Sequence, residues 1–350
     1  MSTGCSTALP QGDQQQLALI DTIRDPRKMN DFQTVLGTVT DLNFVDETGK
    51  TPLIYAIERG NTVQIWAMLK RGANPALLDQ YGYTALHHAA VLPDSEALRI
   101  MLEAGVSPDL PGGDRIQNKT ALMEAARVGE AGNVELLLKR GADLTLCDDR
   151  GRTALMFAAM APKYSERVVK MLLQRKAESC QADKNGLIPL FLAIDANNQD
   201  AAMHLLSLLP DFDKQDQFVL IGLTAMRHAI DAGNLEMVKA ILAKKLPVNS
   251  ELSRLYKVLQ FATVEGWYKI LAENDVIANG QTPLFWAAQN DNVQIILLLL
   301  AEGADPTAKD HAGAYASEYS RQRESTRILR SAAKEWRAKQ LRELEEKSKR

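Results

Sequence analysis

Hydrophobic and polar positions along the chain fall into one pattern that recurs many times. A short segment headed by threonine carries small and apolar residues, a second carries apolar residues at helical spacing, and a glycine closes the unit. The clearest copy opens with Asp46, Gly49, Lys50, Thr51, Pro52 and Leu53, runs through Ala56, Gly60, Ile65, Met68 and Leu69, and ends at Gly72 and Ala73. The threonine recurs at Thr51, Thr84, Thr120, Thr153, Thr224 and Thr282, with Ile188 in its place once, at spacings of 33, 36, 33, 35, 36 and 58 residues. Gly72-Ala73, Gly141-Ala142 and Gly303-Ala304 each close a unit 21 residues after its threonine, and Gly105-Val106 and Lys245-Leu246 are weaker versions at the same offset.

The pattern predicts a pair of helices per unit. Threonine caps the first helix, and proline is tolerated in its first turn. The paired alanines leave room for close packing. Ile65, Met68 and Leu69, then Val134, Leu137 and Leu138, then Ile296, Leu299 and Leu300 give the second helix its apolar stripe, and the closing glycine stops it. Stretches such as Asp79 to Gly82 and Asp148 to Gly151 carry turn chemistry and predict a projecting hairpin finger. One unit cannot bury its own apolar face, so the units are expected to stack into an all-α solenoid.

The segments Thr84-Ala-Leu-His-His-Ala-Ala90, Thr120-Ala-Leu-Met-Glu-Ala-Ala126, Thr153-Ala-Leu-Met-Phe-Ala-Ala159 and Thr282-Pro-Leu-Phe-Trp-Ala-Ala288, at this period, resemble the ankyrin repeat. The resemblance covers roughly residues 40–315 and implies about eight helix–turn–helix repeats with β-hairpin fingers, plus a cap at each end. Anchored units are read at 46–78, 79–113, 114–147, 148–182, 183–213, 219–249 and 277–309, with a degenerate unit at 250–276. Residues 1–13 read as a polar tether, 14–45 as N-terminal capping helices, and 310–350 as a C-terminal cap with a basic helical tail. His87 stands where the family places a histidine that hydrogen-bonds between repeats, and all five histidines are read as structural or surface residues.

The family further implies a non-enzymatic scaffold that binds a protein through its finger tips and inner helices. By register, the binding positions are Lys50, Glu58 and Arg59 in the first unit, Tyr81, Tyr83 and Leu92 in the second, Arg150, Arg152 and Met160 in the fourth, and Asn185 in the fifth. Tyr81 and Tyr83, flanking Gly82, are the best hot-spot candidates. Trp267 and Tyr268 lie where the finger pattern fails, and either plug a packing gap or line a notch for a partner. Insertions at Pro111-Gly112-Gly113 and around Pro162-Lys163-Tyr164 lengthen two loops, through a binding role or through tolerated drift.

Composition changes the picture in three places. A chain of 350 residues suggests two or three ordinary domains, whereas the repeat makes one elongated domain. The net charge of −3 argues against a chain-wide nucleic-acid binder, yet residues 321–350 hold eleven Lys or Arg against five Glu, a net of +6 on a body of −9. That tail is expected to be a solvated helix docked through Ile328, Leu329 and Trp336, or alternatively a basic contact for an acidic partner, nucleic acid or anionic membrane. Cys5, Cys147 and Cys180 lack metal or disulfide spacing, and Cys147 and Cys180 are expected to be buried thiols. No catalytic, cofactor, metal or small-molecule motif stands out.

The apolar run Ile295 to Ala301 is too short to cross a bilayer, and no apolar leader precedes residue 20, so a cytoplasmic location is expected for the chain as written. Gly4-Cys5-Ser6 before a polar stretch is similar to the lipidated cysteine of a bacterial lipoprotein, and with a signal sequence upstream of Met1 it implies an envelope location. Joined to a solenoid with no other domain, this resembles ankyrin-type bacterial immunity proteins that neutralise a secreted toxin, such as a type VI-delivered lipase. The alternatives are a bacterial effector or adaptor that binds a eukaryotic host protein, and the basic tail acting on nucleic acid or membrane.

Overall fold

The structure, a computed structural model, describes residues 11–161, 165–213, 215–251 and 279–348. It divides into two compact units, one of Met1–Ala158 with Lys170–Ala177 and the other of Ala159–Val169 with Glu178–Arg350. In the first unit, α1 (Gln11–Arg24) and α2 (Phe32–Thr38) precede the pairs α3 (Pro52–Glu58) with α4 (Thr62–Lys70), α5 (Ala85–Ala90) with α6 (Glu96–Glu103), and α7 (Ala121–Val128) with α8 (Ala131–Lys139). The division runs through the next pair, α9 (Ala154–Met160) and α10 (Ser165–Gln174). Within the first unit α1 packs on α3, α3 on α5 and α5 on α7, while α4 packs on α6.

The helices begin where the threonines predict. Thr51, Thr84 and Thr120 are extended at φ −85°, −90° and −94°, and the Thr51 and Thr120 hydroxyls accept the N–H of Ile54 and Met123 at 3.3 and 3.4 Å. Gly72, Gly105 and Gly141 take the left-handed conformation that ends a helix, at φ 86°, 88° and 87°. Every residue from Pro52 to Ile57 is buried, because the first helix of a repeat has neighbours on both sides as well as its own partner. His87 does tie adjacent repeats together. It is 1% exposed, accepts the Thr84 hydroxyl at Nδ1 (2.7 Å), and donates from Nε2 to the Lys119 carbonyl (2.8 Å). Since a carbonyl only accepts, the proton is on Nε2.

In the second unit, α11 (Pro189–Asp195) pairs with α12 (Gln199–Leu208), α13 (Asp216–Asp231) with α14 (Leu235–Ala243), and α15 (Pro283–Gln289) with α16 (Val293–Ala301), followed by α17 (Ala316–Tyr319) and α18 (Arg323–Ser348). First helices stack as α11, α13, α15 and α17, and second helices as α12, α14, α16 and α18. Four features differ from expectation. Thr224 caps nothing: it lies inside α13, its hydroxyl donating to the Leu220 carbonyl at 2.9 Å. This repeat has Val219 where the preceding one has the finger aspartate, Asp183. The apolar run from Val219 to Leu223 winds on as helix and buries itself, and Gly222 lets Phe212 and Leu246 approach (a Cβ there would lie 2.7 Å from each).

The degenerate unit read at 250–276 lies almost wholly outside the described residues. Its neighbours nevertheless stack on each other. α13 packs directly on α15 and α14 on α16, and the Asn249 amide bridges to the Gly303 carbonyl (3.0 Å) and the Asp305 N–H (2.7 Å). The hairpin fingers are tight turns: among the described residues only single antiparallel bridges occur, between Pro111 and Thr120, Cys147 and Thr153, and Lys309 and Tyr315. Cys147 and Cys180 are exposed, since both sit on loops entering a finger and not in an inward stripe.

Burial pushes the His87 imidazole below its ordinary value of 6.5, outweighing its bond to the Lys119 carbonyl. The folded protein therefore binds this proton less readily than the unfolded chain, so the stability His87 contributes is complete above pH 6.5 and is lost as pH falls below it. His87→Gln should lower stability by about 2 kcal/mol at neutral pH. It should also flatten the loss on acidification, read from urea unfolding of both proteins between about pH 7.5 and 5.

Candidate protein-binding face

Each regular finger is built on one aspartate five residues before the helix cap. The Asp79 Oδ1 accepts the N–H groups of both Tyr81 and Tyr83 at 2.9 Å, while its carbonyl accepts the Gly82 N–H at 3.0 Å. Asp46, Asp148, Asp183 and Asp310 repeat the two amide bonds at 2.8–3.0 Å. The side chain thus takes the amides that a partner strand would otherwise satisfy, which is why the fingers need no sheet. The glycine at the turn is left-handed, φ 91° at Gly82.

In the repeats of Asp46 and Asp79 the second carboxylate oxygen fastens the finger to its own first helix: Asp46 Oδ2 accepts the Tyr55 hydroxyl and Asp79 Oδ2 meets His88 Nε2 at 2.9 Å, whereas Asp148 Oδ2 accepts Arg152 within the finger at 2.8 and 3.0 Å. Burial alone pushes Asp46 up, but the Tyr55 and Thr48 hydroxyls and two backbone amides outweigh it and hold the carboxyl below its ordinary value. Neighbouring fingers are bonded in turn: Gln80 N–H to the Thr48 carbonyl (3.0 Å), Gly113 to Gly82 (2.8 Å) and Asp149 to Gln117 (2.9 Å).

In the first unit the residue before each cap lies over the residue four after it. Lys50 Nζ is 5.7 Å from the Tyr55 ring centre, Tyr83 meets the His88 ring edge-on at 5.9 Å, Lys119 pairs with Glu124 at 3.1 Å, and Arg152 lies 4.8 Å over Phe157. Lys50 also pairs with Glu58 (2.6 Å), which reaches His88 at 3.4 Å. Tyr83 is half-buried here, and burial, then the Glu124 charge, push its phenol up.

Of the residues proposed from sequence, Lys50, Glu58 and Tyr83 are brought together around His88, while Arg152 sits on Asp148 and Gln117. Tyr81, at a finger tip, is 57% exposed, and Arg59, Arg150 and Asn185 are also exposed. Leu92 and Met160 are half-buried, and Met160 and Asn185 belong to the second unit. Trp267, Tyr268 and Cys5 lie outside the described residues. The insertion at Pro111 acts as a brace: Arg115 donates to the Gln80 carbonyl (2.7 Å) and Asn118 to Asp149 (3.0 Å). Among the described residues no group of His, Cys, Asp and Glu forms a metal site, and no helix is long and apolar enough to cross a membrane.

Sequence reasoning missed Tyr55, His88 and Glu124 as the inner anchors of the fingers. The available signal was their constant place four residues after the threonine. Glu124, 0% exposed, holds both Lys119 and Arg127 (2.7 Å). Glu124→Ala leaves the mostly buried Lys119 ammonium without its carboxylate. It should destabilise by about 3 kcal/mol, with Glu124→Gln clearly milder, both read by urea unfolding.

Comparison with known proteins agrees with this geometry. The profile of the family described as "Ankyrin repeats (3 copies)" matches residues 27–112, 110–183, 159–252 and 208–310. The chain is 30% identical over 237 residues to SH3 and multiple ankyrin repeat domains protein 2 of Homo sapiens, covering 55% of this chain and 13% of that protein. It is 27% identical over 260 residues to Ankyrin repeat protein nuc-2 of Neurospora crassa, covering 70% of this chain and 24% of that protein. It is 32% identical over 152 residues to Neurogenic locus notch homolog protein 1 of Homo sapiens, covering 43% and 6%. The chain thus spans no more than 24% of the length of any of these three relatives.

Proposed function

Because this chain belongs to the ankyrin-repeat family, a family of protein-interaction modules, we propose that it binds a folded protein across its finger tips and the exposed edge of its first helices. The observation that carries this reading is Tyr81, held 57% exposed at a tip whose two flanking amides are fixed by Asp79. An aromatic on a pre-ordered backbone loses little entropy on binding and offers a large contact area. Arg59 and Arg150 supply a charged rim, whereas Lys50, Glu58, Tyr83 and Arg152 are engaged internally and set the shape of the face. The family reading goes with a non-enzymatic role.

Within this reading the best specific bet is an immunity protein that neutralises a secreted toxin. It rests on the lipoprotein-like Gly4-Cys5-Ser6 segment. Co-expression with the product of a neighbouring toxin gene tests it, and the absence of a tight complex removes it. The eukaryotic relatives favour instead an effector or adaptor that binds a host protein. Translocation into host cells in a secretion assay would support this alternative.

With a partner identified by pull-down from native cells and then purified, Tyr81→Ala should weaken binding at least about tenfold in calorimetry, about 1.4 kcal/mol. The same change should leave stability within about 0.5 kcal/mol. Tyr83→Ala should instead lower stability, because its ring packs on both His87 and His88. A Tyr81→Ala protein that binds as tightly as the parent places the interface elsewhere.

A further inference from the structure

The first turns of α18 carry a cluster of cations that the finger face does not use. Arg323, Arg327, Arg330 and Lys334 follow one another in steps of four, three and four residues, so they share one exposed face over about 17 Å. With Arg321 just before the helix they line a shallow depression of about 550 Å³, completed by Thr326 and Ser331. Among the described residues no carboxylate, aromatic or aliphatic side chain lines it.

Folding gives these charges no partner. Elsewhere in the same unit cations are paired: Arg227 with Asp231 at 2.7 Å, Lys239 with Glu236 at 2.8 Å and Lys245 with Asp211 at 2.7 Å. Among the described residues none of the five cations of the depression forms an ion pair. Asp291, beside the start of the helix, is taken by the Ser320 hydroxyl (2.6 Å) and by the backbone N–H groups of Arg321 (3.1 Å) and Gln322 (3.2 Å). Like charges three and four residues apart repel one another, and these sit at the positive end of the helix dipole. Such a cost, with no return within the folded chain, marks a place for a ligand of opposite charge.

We propose that this depression binds a compact, soluble polyphosphate. Five cations this close together call for about five negative charges at the same density. A phosphate monoester carries about −1.5 to −2 near pH 7, so about three phosphates supply them, whereas five carboxylates would have to crowd into the same length. Four of the five cations are arginines, whose planar forks take phosphate oxygens two at a time. An anionic bilayer fits less well, because the lining offers no apolar side chain to insert, and so does a single nucleic-acid strand, because it offers no aromatic ring to stack on a base. A duplex would bring its long charged backbone against a body of net −9. The inference is independent of the finger face.

Calorimetry of the full chain with inorganic tripolyphosphate tests it. One ion per chain should bind at about 50 mM salt, with a Kd at least about tenfold weaker at about 500 mM. Arg327→Glu with Arg330→Glu should weaken binding at least about tenfold. Lys339→Glu with Lys347→Glu, an equal change of charge further along the same exposed helix, should change the Kd less than about threefold. Circular dichroism and the thermal midpoint check that these exposed substitutions leave the body folded. No binding at low salt, or an equal loss in the two double variants, overturns the proposal. So does tighter binding of duplex DNA, poly-L-glutamate or phosphatidylserine vesicles than of tripolyphosphate, compared at equal salt and equal concentration of negative charge.

Discussion

A carboxylate that accepts two backbone amides on one oxygen and a helix side chain on the other organises this protein. Asp79 shows the arrangement in full, with Tyr81 and Tyr83 amides on one oxygen and His88 on the other. Hydrogen bonds to an ionised acceptor contribute about 1.5–3 kcal/mol each, more than neutral ones. The finger is therefore ordered by its own repeat, and the finger-to-finger amide bonds extend that order to the next. A binding surface built this way has lost its backbone freedom before any partner arrives.

Two repeats lacking that aspartate show what it does. Where Val219 replaces it, the finger disappears and α13 starts two turns early, burying the segment as helix. Where Arg115 replaces it, a short turn at Asp114–Ile116 takes over, with Gln117 and Asn118 in left-handed conformations and Arg115 and Asn118 bonded to the fingers on either side. The same inner helices thus carry three kinds of outer edge, decided largely by one position.

Much of this was legible in the sequence because the repeat imposes itself. Threonine caps, left-handed glycines and second-helix stripes fell where the period put them. Thr224 misled because its repeat retains the threonine and Gly222, while the apolar run Val219 to Leu223 winds on as buried helix. The direct contact of α13 with α15 across an interval of 58 residues is likewise a matter of non-local packing, which the spacing of threonines does not give. The row Tyr55, His88, Glu124 and Phe157 escaped notice because its residue types differ. What they share is a place beside the residue before the cap, and that is geometry. The exposed cysteines were misjudged from the average burial of their residue type, when their position next to a finger decided the matter.

The central claim is that the finger aspartates fix the tips without a β-sheet. Hydrogen–deuterium exchange on the full chain measures this at the amides concerned. The account predicts slow exchange at Tyr81 and Tyr83, and faster exchange at both in Asp79→Ala while α7 and α8 keep their protection. Exchange at these amides as fast as in an unstructured peptide in the parent protein, or unchanged in Asp79→Ala, would contradict it.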